Sequence, residues 1–509
     1  MTAASPFTSL LPRRAAVLAV VLAAVLSLAA CAVAPVAPRS DEASACQRWL
    51  ERLDDQVDVH AVRDGGAARI PGLPFLRVDR LSASFAAEAG AGEAAWAAWG
   101  RRLVALDDVA RRAEMANLPP AALRALELPD APAGMARVRA CAPPLWAALS
   151  ADAGARERLR QAAVVPDDYS AALRSLGLYP LTRWPFFSGV VRELRQWQAR
   201  WNAAATDLPA GWMRYRPGPV AGTAAPDNAS PNDGSTPWPH DALGIPAPDD
   251  TAARRLLAAH APVIDIGTAA DHDRPGRLGW GSSPAPEVDV RAPVVYQRVA
   301  HTRLGGRTLL QLVYSVWFTE RPARGPADLL AGRVDAVVLR LTLDEAGRVL
   351  LLDSIHGCGC YHVFVPAPSL VPRAPPDPDV EWAFVPAPLP ALSPGQRLRV
   401  RLSSGDHQLV GVSADGGAGQ AVPYALLDED ALRSLPTASG ARRSAYWSSG
   451  IVPGTERGER ALFWPMGIES PGAMRQWGRH PTAFVGRRHF DDPFLMDQRF
   501  GFRQVTASP

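Results

Sequence analysis

Residues 294–365 read VVYQRVAHTRLGGRTLLQLVYSVWFTERPARGPADLLAGRVDAVVLRLTLDEAGRVLLLDSIHGCGCYHVFV, and this stretch decides the fold class. Runs rich in Val, Leu, Tyr, Trp and Thr at 294–301, 308–318, 334–343, 349–356 and 361–365 have the composition of strands. Gly305-Gly306 and Glu345-Ala346-Gly347 punctuate them as turns. The spacing between several runs is too short for a crossover helix, so it predicts antiparallel hairpins. Runs at 398–402 and 408–412, joined by the turn Ser403-Ser404-Gly405-Asp406, continue the pattern.

Upstream the period changes. Cys46, Leu50, Leu53 and Val57 recur at helical spacing, and so do Trp96, Trp99, Leu103 and Leu106, and Val190, Leu194, Trp197 and Trp201. Tryptophans on such stripes predict core. Pro119-Pro120 and Pro143-Pro144 read as breaks, and Trp184-Pro185-Phe186-Phe187 reads as an aromatic packing loop. The chain is therefore expected to be α+β. A helical domain covers 41–216, a Pro/Gly-rich linker or long loop covers 217–248, and a mostly antiparallel β-rich domain covers 249–509. A short helix near 250–260 and a strand near 263–266 open the latter. Its end, 415–509, mixes loops with short helices starting at Ser470-Pro471 and Asp491-Asp492-Pro493.

The first thirty-one residues have another purpose. Arg13 and Arg14 precede an apolar run over 15–30 that ends in Leu28-Ala29-Ala30-Cys31. These sixteen residues fall short of the roughly 20 needed to span a bilayer, and they have the layout of a secretory signal. The segment resembles a bacterial lipobox. That resemblance implies that Cys31 is diacylated, becomes the mature N-terminus and holds the protein to a membrane through a lipid anchor in the cell envelope. Ala32, rather than Asp, follows Cys31. By resemblance to the sorting rule of enteric bacteria, this implies the periplasmic face of the outer membrane. Residues 32–40 read as an extended tether. The phrases Leu76-Arg77-Val78-Asp79-Arg80, Tyr314-Ser315-Val316-Trp317-Phe318 and 353–362 resemble large uncharacterised envelope lipoproteins of proteobacteria. The likeness implies a shared fold and location and carries over no catalytic residue.

Composition narrows the function classes. Lysine is absent: all 54 basic residues are arginine. P-loop, Schiff-base, Ser-Lys and kinase chemistry each need a lysine and are excluded. A net charge of +3, two units of it in the signal, gives no electrostatic footprint for nucleic acid. The 49 prolines in 509 residues are about twice the usual ~5% and predict long loops.

Five cysteines, less Cys31, leave Cys46, Cys141, Cys358 and Cys360. In an oxidising compartment such a set is expected to pair or to bind metal. A Cys46–Cys141 disulfide is the simplest pairing, with two buried thiols as the alternative. His356, Cys358, Cys360 and His362 form the densest chemical cluster in the chain. Their period of two places them on one side of a strand, where about 3.3 Å per residue separates the outer pair too far for one ion. The intervening glycines could turn the chain and gather a Cys₂His₂ site for zinc or copper. A Cys358–Cys360 disulfide and a reactive thiol with a histidine base are the other readings. Asp271-His272-Asp273 as a cation loop, an approach of Glu320, Asp335 and Asp353, and His489-Phe490-Asp491-Asp492 as a helix cap are lesser candidates.

The function expected from sequence is that of a lipid-anchored envelope protein working by binding or structure, with room for an envelope protein partner. The alternative is a periplasmic hydrolase or transferase, or a metal or redox protein, centred on His356–His362.

Overall fold

A computed structural model describes residues 41–203, 211–219 and 238–503. The expected signal and lipobox, the tether and residues 220–237 of the expected linker lie outside the described residues.

The helical layer follows from its apolar stripes. Helix α1 (Asp41–Val59) buries Trp49, Leu50, Leu53 and Val57. A short hairpin follows, β1 (Ala68–Ile70) and β2 (Leu73–Val78). Helix α2 (Glu93–Asn117) buries Trp96, Trp99 and Leu103, and Trp96 stacks on Trp146 of α3 (Ala131–Ser150) at 5.0 Å. The expected tryptophan stripe is thus core. Asp130 caps α3 by accepting the Ala133 N–H at 2.8 Å. Cys46 and Cys141 form the expected disulfide and join α1 to α3. Pro143 and Pro144 do not break the chain as the sequence suggested, because both sit inside α3. Their two missing N–H groups are outweighed by a buried stripe of Met135, Val138, Cys141, Leu145 and Leu149. Helix α4 (Ala153–Ala162) completes the layer.

Helix α5 (Tyr179–Ala203) leaves this layer. It contains Trp184–Phe187, which sequence reading had placed in a loop. Its Trp197 and Trp201 belong to the core of the sheet, and the Trp197 indole N–H donates to the Leu409 carbonyl at 2.8 Å.

The sheet has ten strands. They begin with β3 (Trp212–Pro217), inside the region expected to be helical, and β4 (Val263–Gly267), with α6 (Asp250–His260) between them. A separate hairpin, β5 (Arg277–Trp280) and β6 (Pro286–Asp289), comes next. The expected antiparallel meander is β7 (Val294–Leu304), β8 (Arg307–Arg321), β9 (Gly332–Leu343), β10 (Val349–His356) and β11 (Val363–Pro366). A short β12 (Leu370–Pro372) pairs outside the sheet. Then come β13 (Leu398–Leu402), β14 (Leu409–Ala414) and β15 (Val422–Asp428). The order is β11-β10-β9-β8-β7-β15-β3-β4-β13-β14, with parallel pairing only at β7–β15, β15–β3 and β4–β13. The sheet curls into a nearly closed barrel. His407, in the β13–β14 turn, therefore stacks on Phe318 of β8 and reaches Asp335 of β9. Tyr314, Val316, Phe318, Val337, Leu339 and Leu352 meet Ile264, Ile266, Val400 and Tyr424 inside.

The C-terminal region packs against this barrel, burying Met474, Phe490 and Phe500. A short helix follows Asp491-Asp492-Pro493 at Leu495–Arg499, but the expected acidic cap does not form: Phe494 stands at the N-cap with no side-chain cap, and Asp492 accepts the Phe494 N–H at 2.9 Å in the turn before it. Ser470-Pro471 starts no helix. Ser470 sits at φ +44°, a left-handed turn conformation that a helical first turn cannot use.

Candidate functional site

One end of the barrel carries the chemistry. Strand β8 delivers Arg321, β9 delivers Asp335 and β10 delivers His356. The chain then turns tightly. The Gly359 N–H donates to the His356 carbonyl at 2.8 Å, the His356 N–H to the Cys360 carbonyl at 2.9 Å, and the Cys360 N–H to Cys358 Sγ at 3.4 Å. Gly359 is required here: it adopts φ +94°, and a Cβ on it would lie 2.2 Å from the Pro481 carbonyl oxygen. Of the seven described non-glycine residues in the left-handed region, three stand at this end: Val334 at +54°, Tyr361 at +56° and His407 at +49°. Each costs of order 1–3 kcal/mol, and such outliers concentrate at functional sites.

Between this end and α5 lies a cavity of about 450 Å³. Phe186, Val190, Leu194 and Trp197 of α5, with Phe384, Phe463 and Phe484, form its apolar wall. Arg321, His356, Cys358, Cys360, His362 and Glu459 are among the polar residues that line the same space.

The four residues of the sequence cluster are not gathered into one ligand set. Side chains alternate across a strand. His356 shares a face with Leu352 of the barrel interior, whereas Asp353 faces the other way and pairs with Arg340 directly opposite on β9. His362 joins that second group: its Nε2 lies 2.9 Å from Asp353 Oδ2, and its ring stacks on Phe364 at 4.1 Å. Among the described residues no group of three or more His, Cys, Asp or Glu side chains could hold a metal ion. The expected zinc or copper site therefore does not assemble. Cys358 and Cys360 are free thiols rather than a disulfide. The bond to Cys358 and burial push the Cys360 thiol well above its usual range, which disfavours the thiolate a nucleophile needs.

The electrostatics single out other groups. Burial raises the Glu459 carboxyl to about 7, with Arg457 and Arg321 opposing the rise. Gly472 makes room for it, since a Cβ there would lie 2.0 Å from Glu459 Oε1. Burial lowers His356 to about 4, so its imidazole is neutral, and its Nε2 has no hydrogen-bond partner. Behind them Asp335 accepts from Arg457 Nη2 at 3.0 Å and from His407 Nδ1 at 2.8 Å. Burial opposes ionisation of Asp335, but Arg457 and His407 outweigh it and hold the carboxyl well below its usual range. His407 Nε2 lies 3.3 Å from Asp273 Oδ1. Burial opposes its charge too, but the two carboxylates win and favour the imidazolium.

The lesser candidates resolve as structure. Asp273 ties loops together by accepting from the N–H groups of Ala269 and Gly405 and the Ser404 hydroxyl. Asp335 and Asp353 serve separate ion pairs. Sequence reading missed Arg321, His407, Arg457 and Glu459. Only Arg321 carried a signal, as a charge closing a long apolar strand.

No family model and no curated protein matches this chain. A solved structure described as "Toxin fold for microbial attack and plant defense" is similar over 39% of this chain and 83% of that chain, at 15% identity and a TM-score of 0.22. At that level it carries no argument for fold or activity.

Proposed function

We propose that this chain is a lipid-anchored cell-envelope protein that binds a small apolar molecule beneath α5. The observation that carries the reading is the cavity: about 450 Å³, walled by aromatic and aliphatic side chains, with a few polar groups converging. Leu28-Ala29-Ala30-Cys31 supports the anchor, and the Cys46–Cys141 disulfide fits an oxidising compartment. Leu176, Leu178, Leu181 and Trp184 are exposed along the start of α5 and the turn before it, on the helix that also supplies the lining residues Phe186 and Val190. Such a patch suits a face turned to the bilayer. The test uses the full chain in phospholipid nanodiscs, titrated with 4-phenylbutanol against empty nanodiscs. Val190→Trp, which fills the cavity, should abolish binding while the thermal melt is kept. Equal binding by the variant would overturn the reading. Loss of palmitate labelling in Cys31→Ser tests the anchor.

A second reading is favoured by one specific pair. Glu459, near 7, and neutral His356 with an unpartnered Nε2 line the same cavity, as an acid and a base for a hydrolase would. Turnover of aryl esters that is lost in both Glu459→Gln and His356→Gln would support it. Turnover unchanged in both would refute it.

A further inference from the structure

Arg321 closes β8 and lines the cavity while only 7% exposed. Its guanidinium sits 5.7 Å from the Tyr361 ring centroid. Among the described residues no carboxylate forms an ion pair with it. The acidic groups within its electrostatic reach are engaged elsewhere. Asp335 is held by Arg457 and His407, and Asp406 by Arg200 and Arg324. Asp328 accepts the N–H groups of Arg324 and Leu330. Glu459 is half-protonated near neutrality.

Asp335 and Asp406 favour its charge from a distance against burial, but no carboxylate pairs with it directly, and an arginine keeps its proton and its donors. Much of the surrounding wall is aromatic or aliphatic, so a carboxylate that paired directly with the guanidinium would come with an apolar body. We propose that Arg321 anchors the carboxylate of an apolar monocarboxylate whose hydrocarbon part fills the cavity. The inference rests on the ligand-binding reading above and names the class of its ligand. A planar guanidinium matches a carboxylate with two parallel hydrogen bonds. A phosphate dianion would need a second free cation, and Arg457 already serves Asp335 and the carbonyls of Val334 and Gly472.

The test compares 4-phenylbutyrate with 4-phenylbutanol, binding to the full chain in nanodiscs. The acid should bind about tenfold or more tightly than the alcohol, the scale of a hydrogen bond to a charged group. Arg321→Gln should erase that preference, bringing the acid's affinity down to the alcohol's, while an unchanged thermal melt reports an intact fold. Arg321→Lys should keep the preference in part. If the alcohol binds the wild type as well as the acid does, or the preference survives Arg321→Gln, the carboxylate inference is overturned and the cavity reading stands. If neither compound binds the wild type, both fall.

Discussion

The helical layer and the barrel end each bury arginine, and they treat it in opposite ways. In the helical layer Arg77 donates to Glu114 at 2.7 Å and Asp107 at 3.2 Å, while Arg111 contacts Asp54, Asp107 and Glu114. Glu114 also accepts the Asp64 N–H, and Asp64 in turn holds Arg433 and Gln476 from the C-terminal half. The charges are matched, and the network fastens the two halves of the chain together. At the barrel end Arg321 has a tyrosine and a cavity, His356 has an unpartnered nitrogen, and Glu459 is pushed toward neutrality. A network whose charges pair directly specifies structure, whereas one with a cation outside any ion pair keeps capacity for a ligand.

Four measurements sharpen or break that contrast. The largest effect belongs to the covalent tie in the helical layer. Replacing both Cys46 and Cys141 by Ser reopens a loop with a sequence separation of 95, and urea unfolding should show a loss of about 4–5 kcal/mol. Arg77→Met leaves buried carboxylates short of a partner and should cost about 3–5 kcal/mol in the same assay.

The third measurement is a pH profile. The folded Glu459 pKa, about 7, lies above its ordinary 4.5, so the folded state holds this proton more tightly than the unfolded chain does. Its protonated form carries no penalty below 4.5. Stability is lost as pH rises from there through 7, by about 3 kcal/mol in all, and then levels off. The difference between wild type and Glu459→Gln should trace that fall, and a flat difference would remove Glu459 from the site. The smallest effect is expected from Arg321→Met. Here no ion pair is broken, so stability should change by no more than about 1 kcal/mol, in either direction. A loss as large as that of Arg77→Met would show that the two clusters are alike.

Local patterns made much of the architecture legible. The Val- and Leu-rich runs of β7 to β10, the stripe of α1 and the Cys46–Cys141 pairing could be read because neighbours in sequence, or a scarce residue type, carry the signal. The site was legible only in part. His356 was found, but its grouping with His362 failed. Strand alternation puts the two on different polar networks, and Asp353 claims His362. Glu459 and Arg457 stand in an irregular segment with no periodicity, and only the packing of the C-terminal region against β9 and the β8–β9 connection brings them to the site. Trp184–Phe187 misled because Pro185 suggests a break, yet the helix carries it on a half-exposed face.

Strand β15 has a consequence for the time course of folding. Residues 422–428 lie between β7, which starts at residue 294, and β3, which starts at residue 212, pairing in parallel with both. Until that late segment arrives, β3 and β7 present bare edges, each able to recruit a foreign strand. Joining the two halves of the sheet is therefore a long-range event that must wait for more than four-fifths of the chain. A newly made copy spends its vulnerable interval with the cavity walls unassembled, so folding factors would meet it before any ligand does.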